Sequence, residues 1–245
     1  MSTATKKTPE QSRKENLLIL TIVAVILLAL AITIVVIIAN GNKGNQLEGY
    51  NNSDAPTNYV RMNISYTDKS GKACTGDIVI QLRPDMAPAT VENFQNLVGK
   101  KFYDNVPFHR VMESFMIQGG DPDGDGISSS DETTIKGEFS ANGFTSNELL
   151  HNRGTISMAR LGNNYNSAST QFFIVTKESA SNHASLDGQY AAFGYVIYGM
   201  DTIDGIAATP VEWNDYGTER SVPKYPVTIN FARFVTPEST EGTQG

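Results

Sequence analysis

The sequence predicts a mainly β domain, a barrel or sandwich carrying two helices, behind a single N-terminal transmembrane helix. Three observations lead there. Leu17 to Ala39 is an apolar run without one charged residue. After residue 58 the apolar residues recur in short alternating stretches, the spacing of half-buried strands. Gly, Asn and Pro punctuate those stretches, and only two segments switch to helical spacing. A chain of 245 residues suits one folded domain plus an appendage.

The appendage comes first. As a helix, residues 17–39 would run about 34 Å, against a hydrocarbon core of about 30 Å. A cleaved signal peptide has a shorter apolar region and a small-x-small site, and Ile37-Ile38-Ala39 is a poor site. An uncleaved anchor is the favoured reading. Lys6, Lys7, Arg13 and Lys14 precede the run and only Lys43 closely follows it. Residues 1–16 are therefore expected in the cytoplasm and the domain outside it. Residues 40–57, rich in Gly, Asn and Ser, read as a flexible tether that holds the domain about 20–25 Å from the bilayer. Without residues 1–39 the chain has 15 basic and 24 acidic residues, a formal charge of −9. This argues against a nucleic-acid backbone as a partner and against broad contact with anionic lipid. The single cysteine, Cys74, cannot form an internal disulfide. The three histidines are far apart with no cysteine nearby, which argues against zinc.

Within the domain, Val60, Met62, Ile64 and Tyr66 alternate with polar residues, and Ile78, Ile80 and Leu82 repeat the pattern. From Pro88 to Val98 the period changes. Val91, Phe94, Leu97 and Val98 share one helical face, Pro88 suits a first turn and Gly99 a terminus. Strands follow at residues 155–159, 171–175, 191–197 and 227–235, with a second short helix at 201–207. Many short strands favour closure, because a closed sheet has no exposed edge.

The chemistry concentrates in Phe108-His109-Arg110-Val111-Met112-Glu113-Ser114-Phe115-Met116-Ile117-Gln118-Gly119-Gly120-Asp121. It combines a guanidinium, large apolar side chains and an amide, a set suited to a planar, apolar ring with one polar carbonyl. This block closely resembles the signature of the cyclophilins, the peptidyl-prolyl cis/trans isomerases. Two further blocks follow in the family's order: Ser157-Met158-Ala159 through Gln171-Phe172-Phe173-Ile174, and Leu186-Asp187-Gly188-Gln189-Tyr190 with Phe193-Gly194. The resemblance covers residues 58–236. It leaves out the segments before it and the tail at 237–245, which reads as disordered.

The resemblance implies a closed eight-stranded antiparallel barrel capped by two helices, isomerase activity without a cofactor, and proline-containing polypeptides outside the cytoplasm as substrates. A catalyst of this reaction must stabilise the twisted Xaa-Pro amide, whose barrier is about 18–20 kcal/mol. In that state the proline nitrogen has a free lone pair, and a donor that binds it favours the transition state over the ground state. The family's catalytic arginine falls on Arg110, which keeps its charge and presents donors in a fixed plane. Gln118 can orient Arg110 or bind substrate backbone. Phe115, Met116, Phe173 and Leu186 match the walls of the proline pocket, and Gln171 and Tyr190 match residues of the same groove. Ala159 and Arg160 match positions whose backbone pairs with an extended peptide.

The sequence departs from the familiar animal forms in several places. The segment between Met158 and Gln171 is longer. Arg160 stands where asparagine is common, Ser185 where they have tryptophan, and Tyr190 where they have histidine. Losing that indole predicts weak cyclosporin binding. The acidic stretch Asp121-Pro122-Asp123-Gly124-Asp125-Gly126, with Glu132, also fits a calcium-loop pattern. Its flanks are poor helices, so a solvated turn is the expectation. A non-catalytic peptide-binding chaperone or scaffold on the same barrel is the rival reading. A calcium-responsive adhesin rests only on the acidic loop.

Overall fold

The computed structural model describes residues 47–127 and 133–238. Contacts divide the chain into a unit ending at Glu48 and a unit from Gly49 onwards, and the account below concerns the second. Residues 1–16 and 17–39, expected to be a cytoplasmic segment and a transmembrane helix, and residues 239–245 of the tail lie outside the described residues, as do Glu132 and its neighbours. Among the described residues no helix is long and apolar enough to cross a membrane.

The barrel ring contains eight antiparallel strands. In chain order these are β2 (Tyr59–Thr67), β3 (Ala73–Leu82), β4 (Val106–Met112), β5 (Met116–Gly119), β6 (Thr155–Met158), β7 (Phe172–Val175), β8 (Ala192–Tyr198) and β11 (Thr228–Pro237). Around the ring the order is β11-β2-β3-β8-β6-β7-β5-β4, and β4 pairs back onto β11 to close it. Closure pairs the sheet edges within the ring. A short strand, β1 (Tyr50–Asn52), also pairs with β11. Strand pairing thus reaches into the stretch read as a tether. Polar composition cannot reveal this, because β1 is held by backbone bonds to β11 rather than by side-chain burial.

Helix α1 (Pro88–Gly99) buries Val91, Phe94 and Val98, the face its spacing predicts. Helix α3 (Met200–Ala207) buries Ile203 and Ile206 in the same core. Between them lies a helix with no counterpart in the expected pair, α2 (Ala180–Leu186). The side chain of Ser179 caps it by accepting from the Asn182 amide. Its seven residues bury only Asn182 and Leu186, too few to give a period. A hairpin outside the ring, β9 (Val211–Trp213) with β10 (Arg220–Pro223), was likewise not expected. Its strands are short and mostly exposed, so they carry little alternating pattern.

Phe94, Tyr103, Phe108 and Phe193 fill the barrel around Phe172 or one another, with ring centroids 5.0 to 5.8 Å apart. Cys74 is free.

Candidate active site

One row of cross-strand partners builds the site. Arg110 on β4 is in register with Gln118 on β5, Gln118 with Phe173 on β7, and Phe173 with Ser157 on β6. The adjacent row, Val111, Ile117, Ile174 and Ile156, is buried in the barrel. Alternation along the strands therefore sends one row inward as core and the other outward as site.

Arg110 joins the outward row because β4 is irregular. Strict alternation after buried Phe108 would turn Arg110 back toward the core. The register shifts between Phe108 and Arg110, so His109 and Arg110 are both half-buried and Val111 resumes the inward row. This is the effect of a β-bulge, which re-aims the side chains beyond it. The cost falls on His109: its Nδ1 is buried without a hydrogen-bond partner, and burial lowers its pKa. Gly120 follows β5 with φ +91, and a Cβ there would stand 2.5 Å from the Thr170 carbonyl oxygen.

The outward row opens into a pocket of about 170 Å³ lined by Arg110, Phe115, Met116, Gln118, Ala159, Arg160, Phe173, Leu186 and Tyr190. Gln171 joins through its side chain, whose Oε1 accepts from Gln118 Nε2 at 3.0 Å. All ten residues singled out from the sequence thus meet at one place. Met116, Phe173, Val175 and Leu186 form a small apolar cluster of their own, separate from the barrel core. Tyr190 meets Phe173 edge-on, with centroids 5.7 Å apart.

Ala159 and Arg160 also make contacts within the chain. The Ala159 amide donates to the Gln171 carbonyl at 3.0 Å. Arg160 donates to the carbonyls of Gln189, Leu161 and Gly162. Its guanidinium also lies over Tyr190 and Tyr165, 4.4 and 4.7 Å from their centroids. Arg160 thereby ties the loop after β6 to the loop after α2, work that an asparagine is too short to do. Ser185 is exposed on α2, donates to the Asn182 carbonyl and lies outside the pocket lining.

Behind Phe173, His151 is fully buried and stacks on the ring at 5.9 Å. Its Nδ1 is 2.8 Å from Asp187 Oδ1 and its Nε2 is 3.0 Å from Ser157 Oγ. Burial lowers the His151 pKa, and the Asp187 carboxylate only partly offsets it. Burial also raises the Asp187 pKa, but hydrogen bonds from the His151 amide and from both neighbouring imidazoles outweigh this and hold it below the ordinary carboxylate value. Ser157 is buried too, so this linked trio supports the pocket wall and cannot reach a substrate.

Arg110 has a partner the sequence did not disclose. Its Nε and Nη2 donate to the two carboxylate oxygens of Glu219, each at 2.7 Å. Its Nη1 lies 3.4 Å from Gln118 Oε1, and its plane approaches the Phe115 ring at 6.0 Å.

The family model described as cyclophilin type peptidyl-prolyl cis-trans isomerase/CLD matches residues 61–233. The chain belongs to the cyclophilin family. It is 41% identical over 159 residues to a peptidyl-prolyl cis-trans isomerase of Acinetobacter baylyi, spanning 64% of this chain and 80% of that protein. It is 36% identical over 161 residues to peptidyl-prolyl cis-trans isomerase A of Dickeya dadantii, spanning 65% and 80%. A crystal structure of a Cryptosporidium parvum cyclophilin type isomerase matches with a TM-score of 0.58 and 27% identity, over 73% of this chain and 97% of that one. The same isomerase in the presence of the dipeptide Ala-Pro matches over 72% and 98%, with the same score. This cyclophilin is accordingly a peptidyl-prolyl cis-trans isomerase.

Apart from Glu219, sequence reasoning missed His151, Ser157 and Asp187 as supports of the pocket. The last two lie inside the recognised blocks, but nothing in their spacing pairs them with His151.

Proposed function

We propose that this isomerase acts on Xaa-Pro bonds of proteins outside the cytoplasm, assists their folding, and does so through Arg110. The observation that carries the mechanism is the arrangement of the guanidinium at the mouth of an apolar pocket. Nε and Nη2 are bound to Glu219, and Nη1 is the nitrogen beside Gln118 and the pocket. A proline ring held against Phe115, Met116, Phe173 and Leu186 puts its nitrogen near that donor. As the amide twists, conjugation breaks and the nitrogen lone pair becomes an acceptor. A hydrogen bond from Nη1 then stabilises the twisted state more than either planar isomer. Gln118, fixed from behind by Gln171, orients Arg110 or holds the preceding carbonyl. No covalent intermediate and no redox step is needed.

The membrane part rests on composition. The uncharged run at 17–39 and the basic residues before it support an anchor with the domain outside. The acidic remainder supports polypeptide substrates over nucleic acid.

The test of mechanism is isomerisation of an Xaa-Pro peptide by the full chain in detergent. Arg110→Ala should lower kcat/KM by about 10²–10³ while the protein stays folded, the loss typical of a transition-state donor. Near-normal turnover in the folded variant would refute the role of Arg110. The test of location is protease added to intact cells. It should release an active domain by cutting between the anchor and β1, and a domain protected until lysis refutes the orientation.

A further inference from the structure

We propose that Glu219, the residue just before β10, is a positioning residue for Arg110. It fixes the plane of the guanidinium and thereby commits Nη1 to the pocket. The inference rests on the role proposed for Arg110 and adds to it a residue from outside the barrel ring.

The geometry separates this contact from an ordinary surface ion pair. Two parallel bonds of 2.7 Å join Nε and Nη2 to the two carboxylate oxygens. A single bond lets a guanidinium rotate, whereas a forked pair sets its plane. Both side chains are about a third exposed or less, at 32% and 27%, so solvent competes with the pair less than at an open surface.

The hairpin turn is built to present Glu219. Asn214 Oδ1 accepts from the Thr218 and Glu219 amides at 2.9 and 3.3 Å, and the Asn214 amide donates to the Glu219 carbonyl at 2.8 Å. Gly217 completes the turn with φ +65. On the other side, Gln171 holds Gln118, whose Oε1 lies beside Nη1. The guanidinium therefore sits between a carboxylate and an amide that are each fixed from behind. The bond from Arg110 also keeps Glu219 ionised below the ordinary glutamate range, so the clamp stays intact at neutral pH.

The experiment compares the full chain in detergent with Glu219→Gln, Glu219→Ala, Arg110→Ala and the double alanine variant. The substrate is a succinyl-Ala-Ala-Pro-Phe anilide. Glu219→Ala should lower kcat about tenfold with KM changed less than about twofold, short of the roughly hundredfold loss that a full ångström of misplacement can cause. Glu219→Gln keeps one acceptor and should lose less. Wild-type kcat should fall in acid only below the ordinary glutamate range, and Glu219→Gln should lack that limb. His109, Asp125 and Asp215 line the groove beside Glu219, so the difference between the two profiles is what counts. On the Arg110→Ala background, Glu219→Ala should change nothing further.

Unchanged or raised turnover in a folded Glu219→Ala, or an equal loss with and without Arg110, overturns the inference and leaves the role of Arg110 standing. An active Arg110→Ala overturns both. If Glu219→Ala does not fold, a Glu219→Gln acid profile identical to that of the wild type overturns the inference.

Discussion

The two walls of the candidate pocket are held in opposite ways. The Arg110 wall is polar and partly open to water, and its geometry comes from directional bonds to Glu219 and Gln118. The Phe173 wall is closed. Phe173 and Leu186 are each 4% exposed, and buried His151 backs the ring while bonded to Asp187 and Ser157. The difference separates function from stability. An exposed donor can be removed without opening a hole, because water replaces it. A buried ring cannot be removed without leaving a cavity.

The comparison can be broken most directly at Phe173. Phe173→Ala should destabilise the domain by about 3–5 kcal/mol. At roughly 2–4 °C per kcal/mol that is a melting-temperature drop on the order of 10 °C, readable by calorimetry. Arg110→Ala should instead leave the melting temperature within a few degrees and act on turnover. If both variants unfold to the same extent, the contrast between the walls fails.

A smaller effect sharpens the same contrast through pH. Burial holds the His151 pKa below its ordinary 6.5. Above that value the group contributes no pH dependence. As pH falls below it, the unfolded chain takes up a proton that the folded state resists, so stability declines. His109, also lowered by burial, has the same sign. His183 has the opposite sign: its hydrogen bond to Asp187 raises its pKa, giving stability that is present below 6.5 and lost as pH rises through the folded value. Melting temperature measured from pH 7 to 5.5 should therefore fall less steeply in His151→Gln than in the wild type. The variant should also lose about 1–3 kcal/mol at neutral pH, because a buried hydrogen-bonded network is cut. An unchanged slope would show that His151 is not the group that titrates.

Much of the site was legible because much of it is local. Arg110, Phe115, Met116 and Gln118 share one hairpin, and the pairing that faces Arg110 with Gln118 brings together residues close in the chain. The other blocks, at Gln171–Phe173 and Leu186–Tyr190, were found by resemblance. Physical spacing alone gave their strands and not their convergence. The long strands β2 and β3 and helix α1 were clear because each buries a regular face. Helix α2 was not, since seven residues with two buried positions leave no period to read. β1 and the β9–β10 hairpin were missed for a related reason: both are short and largely exposed.

By itself, then, the sequence determined the strand-rich domain, the uncharged run at 17–39, the acidic balance and the family's pocket residues, because composition, period and local motif are properties of neighbours along the chain. Only the tertiary structure decided which side of β4 Arg110 occupies, which residues stand behind Phe173, and which carboxylate grips the guanidinium. A bulge, a buried histidine network and an ion pair 109 residues apart in the chain have no local signature. They arise when the barrel closes and brings distant strands and loops within bonding distance.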